Sequence, residues 1–332
     1  MTAADADTDA PRLPEWRDVL AACARIAPYA YSTPLLRSAS LDAIAGAELH
    51  FKAEHLQRTG AFKFRGACNA VQALDAAQAA RGVVTHSSGN HGAALALAAR
   101  ERGIACHVVV PEGALPSKTA AVAAYGASLH RCAPTMAARE AACAQVQAET
   151  GALLVHPYAD FQVIAGQATA AVELLTQLPT LDAIVIPLGG GGLSAGTAIA
   201  AAALAPACKV YAAEPVGAAD GFHSLQRGAR VTDLVPHTVC DGLRGTIGEP
   251  NLRLLQRHGV EILLVDDADT LAAMRLFAQR AKQLIEPSSA IALAAVLANR
   301  GKFAQRRTGV LVSGGNIDVD VPFPWLTTQA GR

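Results

Sequence analysis

Short apolar runs alternate along the chain with longer segments whose apolar residues recur every three or four positions. The runs at residues 82–86, 104–110, 128–132, 152–156, 182–187, 209–213, 261–265 and 309–312 have the length and composition of buried strands. Residues 90–102, 116–125, 136–149, 161–178, 193–204, 252–258, 269–284 and 288–298 have helical spacing. Ahead of this series, residues 16–26 read as a helix, 49–54 as an alternating strand and 65–80 as a helix. Such alternation predicts an α/β fold with parallel sheets, because each crossover between parallel strands is covered by a helix. There are more strands than one compact sheet takes, so two domains are expected, each a mostly parallel twisted sheet flanked by helices. No low-complexity linker and no internal repeat interrupts the pattern.

A length of 332 residues agrees with two domains. The 28 basic residues are balanced by 28 acidic ones, a net charge of zero, which argues against nucleic acid or an anionic membrane as partner. The seven cysteines are scattered and form no Cys-x-x-Cys pair, so they read as reduced, small apolar residues of a cytoplasmic protein. Residues 1–11 are acidic, lack the apolar core of a secretory signal and are expected to be a frayed leader. The most apolar run, residues 193–205, is shorter than the roughly 20 residues that span a bilayer.

In α/β sheets ligands bind at the carboxyl ends of strands, and the polar clusters with chemical promise fall there. Thr59-Gly-Ala-Phe-Lys63-Phe-Arg-Gly66 sets one of only six lysines between two phenylalanines. Apolar neighbours desolvate an ammonium and lower its pKa, leaving a neutral amine able to form a Schiff base with an aldehyde. The same flanks also suit a lysine whose stem lies on the Phe rings with its charge in water. Thr85-His-Ser-Ser-Gly-Asn-His-Gly92 sits between a strand and a helix start, where free N–H groups and two hydroxyls suit a carboxylate; a plain turn capped by Asn90 is the alternative. Gly189-Gly-Gly-Gly192, followed by Leu193, offers consecutive N–H groups to a phosphate at another helix start. No Gly-Lys-Ser/Thr follows it, and its spacing is not that of a dinucleotide fingerprint. Ser313-Gly-Gly-Asn316 follows the last strand, and Ser313 there suits a hydrogen bond to a ring nitrogen.

A Schiff-base lysine, a phosphate cradle, a carboxylate cradle and a ring-nitrogen partner together describe a pyridoxal phosphate site. Between about residues 25 and 320 the chain resembles the second fold type of pyridoxal phosphate enzymes, in particular the serine racemase and serine/threonine dehydratase group. The resemblance rests on Lys52-x-Glu54-x-x-Gln57-x-Thr-Gly-Ala-Phe-Lys63-x-Arg65-Gly-Ala67, Ser87-Ser88-Gly89-Asn90-His91, Val163-Ile-Ala-Gly-Gln167, the tetraglycine, Ile285-Glu286-Pro287 and Ser313-Gly-Gly-Asn316, in that order. It implies a large cofactor-binding domain of residues 1–72 and 160–332 and a small domain of residues 73–159. It implies that Lys63 holds pyridoxal 5'-phosphate as a Schiff base and that Gly189, Gly190, Gly191, Gly192 and Leu193 form the phosphate site. Ser313 then meets the pyridine nitrogen, Phe62 packs near the ring, and Asn90 reaches the ring's 3-hydroxyl. Ser87, Ser88, Asn90 and His91 form the substrate-carboxylate loop. Lys63 takes the α-proton on one face, and Ser88 serves the other face.

The resemblance also implies a divalent cation, magnesium with calcium or manganese as alternatives, on Glu214, the Ala218 carbonyl and Asp220. The acidic spacing alone favours an exposed loop over a cation site. It further implies a small amino-acid substrate, a homodimer or tetramer, and ATP as an effector. Tyr158 and Gly245 depart from the racemase pattern and leave side-chain specificity open. The expected reactions are dehydration of serine or threonine to pyruvate or 2-oxobutanoate plus ammonia, and racemisation of serine. The alternatives are threonine dehydration without racemisation and 3-hydroxyaspartate dehydration with Arg139 on the second carboxylate. A β-replacing synthase shares the fold but has other lysine and carboxylate-loop motifs. A regulatory protein binding ATP through the tetraglycine would lack the cofactor's absorption band.

Overall fold

A computed structural model describes residues 12–87, 89–114 and 116–318. The expected leader at residues 1–11 and Ser88 lie outside the described residues. The strands are β1 (Leu35–Leu36), β2 (Glu48–Ala53), β3 (Val83–His86), β4 (Cys106–Pro111), β5 (Ser128–Cys132), β6 (Leu153–Leu154), β7 (Ala183–Pro187), β8 (Lys209–Pro215), β9 (Glu261–Val265) and β10 (Arg307–Val312). They form a six-stranded sheet in the order β1-β2-β10-β7-β8-β9 and a four-stranded sheet in the order β5-β4-β3-β6. Every pairing is parallel except β1 with β2. The fold is therefore α/β, as the alternating pattern predicts. All residues of β3 and β7 are buried, as expected of parallel strands covered on both faces. Among the described residues no helix is long and apolar enough to cross a membrane.

Two close helix crossings fix the site's scaffold. The helix Lys63–Gln72 crosses the helix Phe161–Gln177 where Gly66 meets Gly166; a Cβ on Gly166 would lie 2.7 Å from both the Arg65 carbonyl oxygen and the Gly66 Cα. On its other side the helix Phe161–Gln177 meets the helix Gly192–Leu204 at Gly196, where a Cβ would lie 2.7 Å from the Ala168 nitrogen. The tetraglycine and the lysine segment thus share one helical support.

A buried ionic network pins the lysine helix to β2. Arg65 Nε and Nη2 donate to the two oxygens of Glu54 at 2.7 and 2.8 Å, and its Nη1 donates to Glu173 at 2.7 Å. Lys52 Nζ donates to Glu173 at 2.7 Å and to the Thr33 carbonyl at 2.7 Å. Arg65 is 1% and Glu54 0% exposed, so removing Arg65 would leave the buried Glu54 carboxylate without its ion-pair partner, at about 3–5 kcal/mol. This accounts for Lys52, Glu54 and Arg65 in the motif without giving them chemistry.

Two local differences from the pattern have clear causes. The helix expected over 65–80 breaks into Lys63–Gln72 and Ala76–Arg81, because Asp75 and Gln78 form a capping box that starts a new helix. The unexpected helix Asp220–Arg227 receives its cap from Glu214, on β8, which accepts the N–H groups of Gly221 and Phe222 at 2.8 Å each.

Candidate active site

Lys63 is delivered by an irregular segment between β2 and its helix. Thr59 and Gly60 both have positive φ, 61° and 73°. A Cβ on Gly60 would lie 2.4 Å from Asn316 Oδ1, so this turn needs glycine for space as well as for conformation. Ala61 then bridges to Gly314, and Phe62 donates its N–H to the Ser313 carbonyl at 3.0 Å. Residues 253 and 251 positions apart in the chain are in this way zipped together, and Lys63 and Ser313 line the same cavity. Its Nζ donates to the Pro157 carbonyl at 2.9 Å and lies 5.2 Å from the Phe62 ring centroid. Burial lowers the ammonium pKa from 10.5 to about 8, against the opposing pull of the Glu286 carboxylate. This lowering has the direction that a desolvated amine requires.

Phe62, Lys63, Ser87, Asn90, His91, Arg139, Gly189, Gly190, Gly191, Gly192, Leu193 and Ser313 all line one cavity of about 250 Å³. Its floor is the turn from β7 into the helix Gly192–Leu204. No backbone N–H from Gly189 to Leu193 donates to another described group. Side chains are excluded there: a Cβ on Gly190 would lie 2.3 Å from the Tyr158 ring, on Gly189 2.9 Å from the Leu243 Cα, and on Gly192 2.9 Å from the Tyr158 carbonyl oxygen. Gly191 has φ of 90°. Unpaired N–H groups at a helix start, with the room for side chains taken, make a receptor for a phosphate-sized anion. Ser313, 3% exposed, makes no side-chain hydrogen bond to another described residue and presents its hydroxyl to the same cavity.

The opposite wall is the start of the helix Asn90–Arg102. Asn90 Nδ2 donates to both oxygens of Glu286, at 2.9 and 3.1 Å, and its Oδ1 accepts from Asn316 Nδ2 at 2.8 Å. Glu286, above only part of a motif, is thus the anchor of Asn90, and its carboxylate acts on Lys63. His91 is 2% exposed; its Nε2 lies 3.3 Å from the Val155 carbonyl and its Nδ1 is buried without a partner. Burial holds the imidazole neutral, well below its usual pKa. The Arg139 guanidinium has no anionic partner among the described residues, and its Nε is buried and unpaired. Tyr158, one of the two departures noted above, lies with its ring against Gly190 and beside Gly245. The ring of His156 meets it edge-on at 4.5 Å, and that of His86 meets His156 edge-on at 5.3 Å. Burial and the neighbouring His86 push His156 down to about 3, and its Nδ1 accepts the Ala159 N–H at 3.1 Å.

Glu214, Ala218 and Asp220 form a separate cluster outside the cavity. Glu214 and Asp220 are 1% and 6% exposed, so the exposed-loop alternative does not hold. Burial, reinforced by the charge of Asp220, raises Glu214 to about 8, although two backbone N–H groups oppose it; Asp220 is raised too, chiefly by burial. Ala218, in the turn Val216–Ala218, is also buried. Two buried carboxylates that act on one another offer the hard oxygen donors that divalent cations take. Asp220 also accepts the Ile247 N–H at 2.7 Å, and the next residue, Gly248, donates to the Gly190 carbonyl at 3.0 Å. Two hydrogen bonds, one to the Asp220 carboxylate and one between backbone groups, therefore join this cluster to the tetraglycine.

Comparison with known proteins agrees with this geometry. Residues 26–314 match the family described as pyridoxal-phosphate dependent enzyme. The chain is 46% identical to the beta-hydroxyaspartate dehydratase of Paracoccus denitrificans over 313 residues, covering 94% of this chain and 99% of the relative. It is 44% identical to the serine racemase of Dictyostelium discoideum over 307 residues, covering 91% and 95%. The structure of maize serine racemase superposes with a TM-score of 0.91 at 42% identity, covering 93% of this chain and 95% of the other. The chain belongs to the family of pyridoxal-phosphate-dependent enzymes.

Proposed function

We propose that this chain is a pyridoxal 5'-phosphate-dependent ammonia-lyase of β-hydroxy amino acids that also racemises serine. The observation that carries the reading is the meeting of the Lys63 amine, the free tetraglycine N–H groups and the Ser313 hydroxyl in one cavity. These residues fit the cofactor: Gly189 to Leu193 would receive its phosphate, Ser313 its ring nitrogen, Phe62 one side of its ring, Asn90 its 3-hydroxyl, and Lys63 its aldehyde carbon. When bound, the cofactor supplies an electron sink for negative charge developing on the substrate's α-carbon. The start of the helix Asn90–Arg102, with Ser87, Asn90 and His91, holds the α-carboxylate through its N–H groups and dipole. Lys63, whose lowered pKa makes the neutral amine available near neutral pH, takes the α-proton. The β-hydroxyl then leaves, with a proton, as water, and the released 2-aminoacrylate or 2-aminocrotonate tautomerises to the imine, which water hydrolyses to pyruvate or 2-oxobutanoate and ammonia. A proton delivered by Ser88 to the opposite face gives D-serine. The test is incubation with L-serine, D-serine, L-threonine and 3-hydroxyaspartate, with and without magnesium, followed by 2-oxoacid and chiral product analysis. Formation of neither pyruvate nor D-serine from L-serine overturns the reading.

Arg139 favours a second reading, in which 3-hydroxyaspartate is the preferred substrate. A cavity cation without an anionic partner among the described residues suits the second carboxylate of a dicarboxylic amino acid. Arg139→Gln is then expected to raise KM for 3-hydroxyaspartate by about 10–100-fold, with L-threonine affected by less than about threefold. Equal changes for both substrates would remove Arg139 from side-chain recognition.

Glu214, the Ala218 carbonyl and Asp220 are proposed to hold a divalent cation. An ion bound only by the folded chain stabilises it by mass action, about 2.7 kcal/mol at a hundred times its Kd. Chelation should therefore lower the melting temperature by about 5 °C. Because Asp220 is joined to the tetraglycine through Ile247 and Gly248, chelation should also speed cofactor loss on dialysis. Glu214→Gln should abolish both responses; a variant that still responds like wild type would exclude the cation from this cluster.

A further inference from the structure

Asn251 lies in the first turn of the helix Glu249–Arg257, 0% exposed, and has no place in the chemistry described so far. Its Nδ2 spends both hydrogens on carbonyl oxygens, donating to Gly190 at 2.6 Å and to Tyr158 at 2.9 Å. The Gly190 carbonyl also accepts the Gly248 N–H at 3.0 Å. This carbonyl is therefore clamped from one side by two donors. In a trans peptide the carbonyl and the following N–H point in opposite directions. Holding the Gly190 oxygen against Asn251 thus turns the Gly191 N–H away from Asn251, and that N–H donates to no described group. Gly191 itself, with φ of 90°, could not carry a side chain: a Cβ there would lie 2.8 Å from the Asn251 Cβ. By the same carboxamide the Tyr158 backbone is tied down, and with it the ring that lies against Gly190.

Asn251 Oδ1 is buried and has no hydrogen-bond partner. The unpaired Oδ1 costs stability, whereas the Nδ2 group supplies donors to the Gly190 and Tyr158 carbonyls and so fixes the orientation of the glycine backbone.

We propose that Asn251 is the positioning residue of the phosphate cradle: by holding the Gly190 and Tyr158 carbonyls it aims the Gly191 N–H at the phosphate monoester of the cofactor. The inference rests on the reading of the tetraglycine as the phosphate loop. The consequence is specific to the phosphate. Pyridoxal lacks it but offers Lys63 the same aldehyde, so the two ligands separate loop orientation from every other feature of the cavity.

The experiment titrates cofactor-stripped protein with pyridoxal 5'-phosphate and with pyridoxal, for wild type, Asn251→Leu and Asn251→Ser, and records each melting temperature. Wild type should prefer the phosphorylated ligand by on the order of 10² or more, as charge-assisted bonds to an anion require. Asn251→Leu should cut that preference by about tenfold or more through the phosphorylated ligand alone, with pyridoxal affinity unchanged. Asn251→Ser, which keeps one donor for two carbonyls, should lose about threefold and carries the test if the leucine variant does not fold. Equal loss for both ligands, or no change for either, would assign Asn251 to packing and overturn the inference while leaving the phosphate loop in place. A wild type that binds both ligands equally would overturn the loop reading and the inference with it.

Discussion

Replacing Lys63 by alanine is expected to abolish the cofactor's absorption band near the edge of the visible and to lower turnover of L-serine by at least about 10³-fold. The size follows from the two tasks assigned to one amine. Lys63 is proposed as both the attachment point for the aldehyde and the base that removes the α-proton, and among the described residues no second lysine lines the cavity. Lys52 is held by Glu173 and the Thr33 carbonyl in the network behind the lysine helix. Borohydride reduction of the loaded enzyme followed by peptide mapping should mark Lys63 alone; a mark on Lys52 would sink the assignment. The reaction of the amine with added cofactor should also report its pKa. In the folded protein burial favours the neutral form, so the ammonium loses its proton around pH 8 instead of 10.5. The rate of cofactor capture by stripped protein should rise about tenfold per pH unit below 8 and level off above it. Glu286→Gln removes the charge that favours the ammonium and should move that plateau to lower pH. A plateau that stays near the ordinary lysine value would mean that Lys63 is solvated when the cofactor arrives.

The parts of this site legible in the sequence are those whose chemistry is written into consecutive residues. Lys63 between two phenylalanines and the run of four glycines needed no partner to be noticed, and both line the cavity. The parallel sheets followed from the period of the apolar pattern. What the sequence could not display are contacts made across the fold. Glu286 acts through Asn90, 196 positions away, and Asn251 through Gly190, 61 positions away. Neither has a local signature: a glutamate before a proline and an asparagine in a helix's first turn are ordinary capping chemistry. The helix Asp220–Arg227 was hidden for the same reason, since its capping carboxylate comes from β8. The acidic pair Glu214 and Asp220 was visible, but its burial, which separates a cation site from a solvated loop, is a property of the packed chain.

Ser88→Ala is expected to separate the two reactions. Racemisation needs a proton donor on each face of the planar α-carbon, and Lys63 can serve only one of them. Ser88, next to Ser87 in the carboxylate loop, is the proposed donor for the other. A positioned general acid or base is typically worth about 10²–10⁴ in rate. Removing one hydroxyl leaves Ser87, Asn90 and His91 to hold the substrate carboxylate. Dehydration of L-serine begins with proton removal by Lys63 and should survive within about threefold, well below the 10² of a lost general acid. Conversion of L-serine to D-serine should fall by about 10² or more, and so should dehydration of D-serine, whose α-proton faces the missing hydroxyl. Restoring a protic group with Ser88→Thr should recover part of the racemisation, which a purely architectural role would not predict. The measurement is chiral chromatography of both serine enantiomers beside 2-oxoacid release, for wild type and both variants. Equal losses in dehydration and racemisation would make Ser88 a loop-shaping residue. A wild type that releases pyruvate from L-serine but forms no D-serine would leave the enzyme a dehydratase whose second face is never protonated.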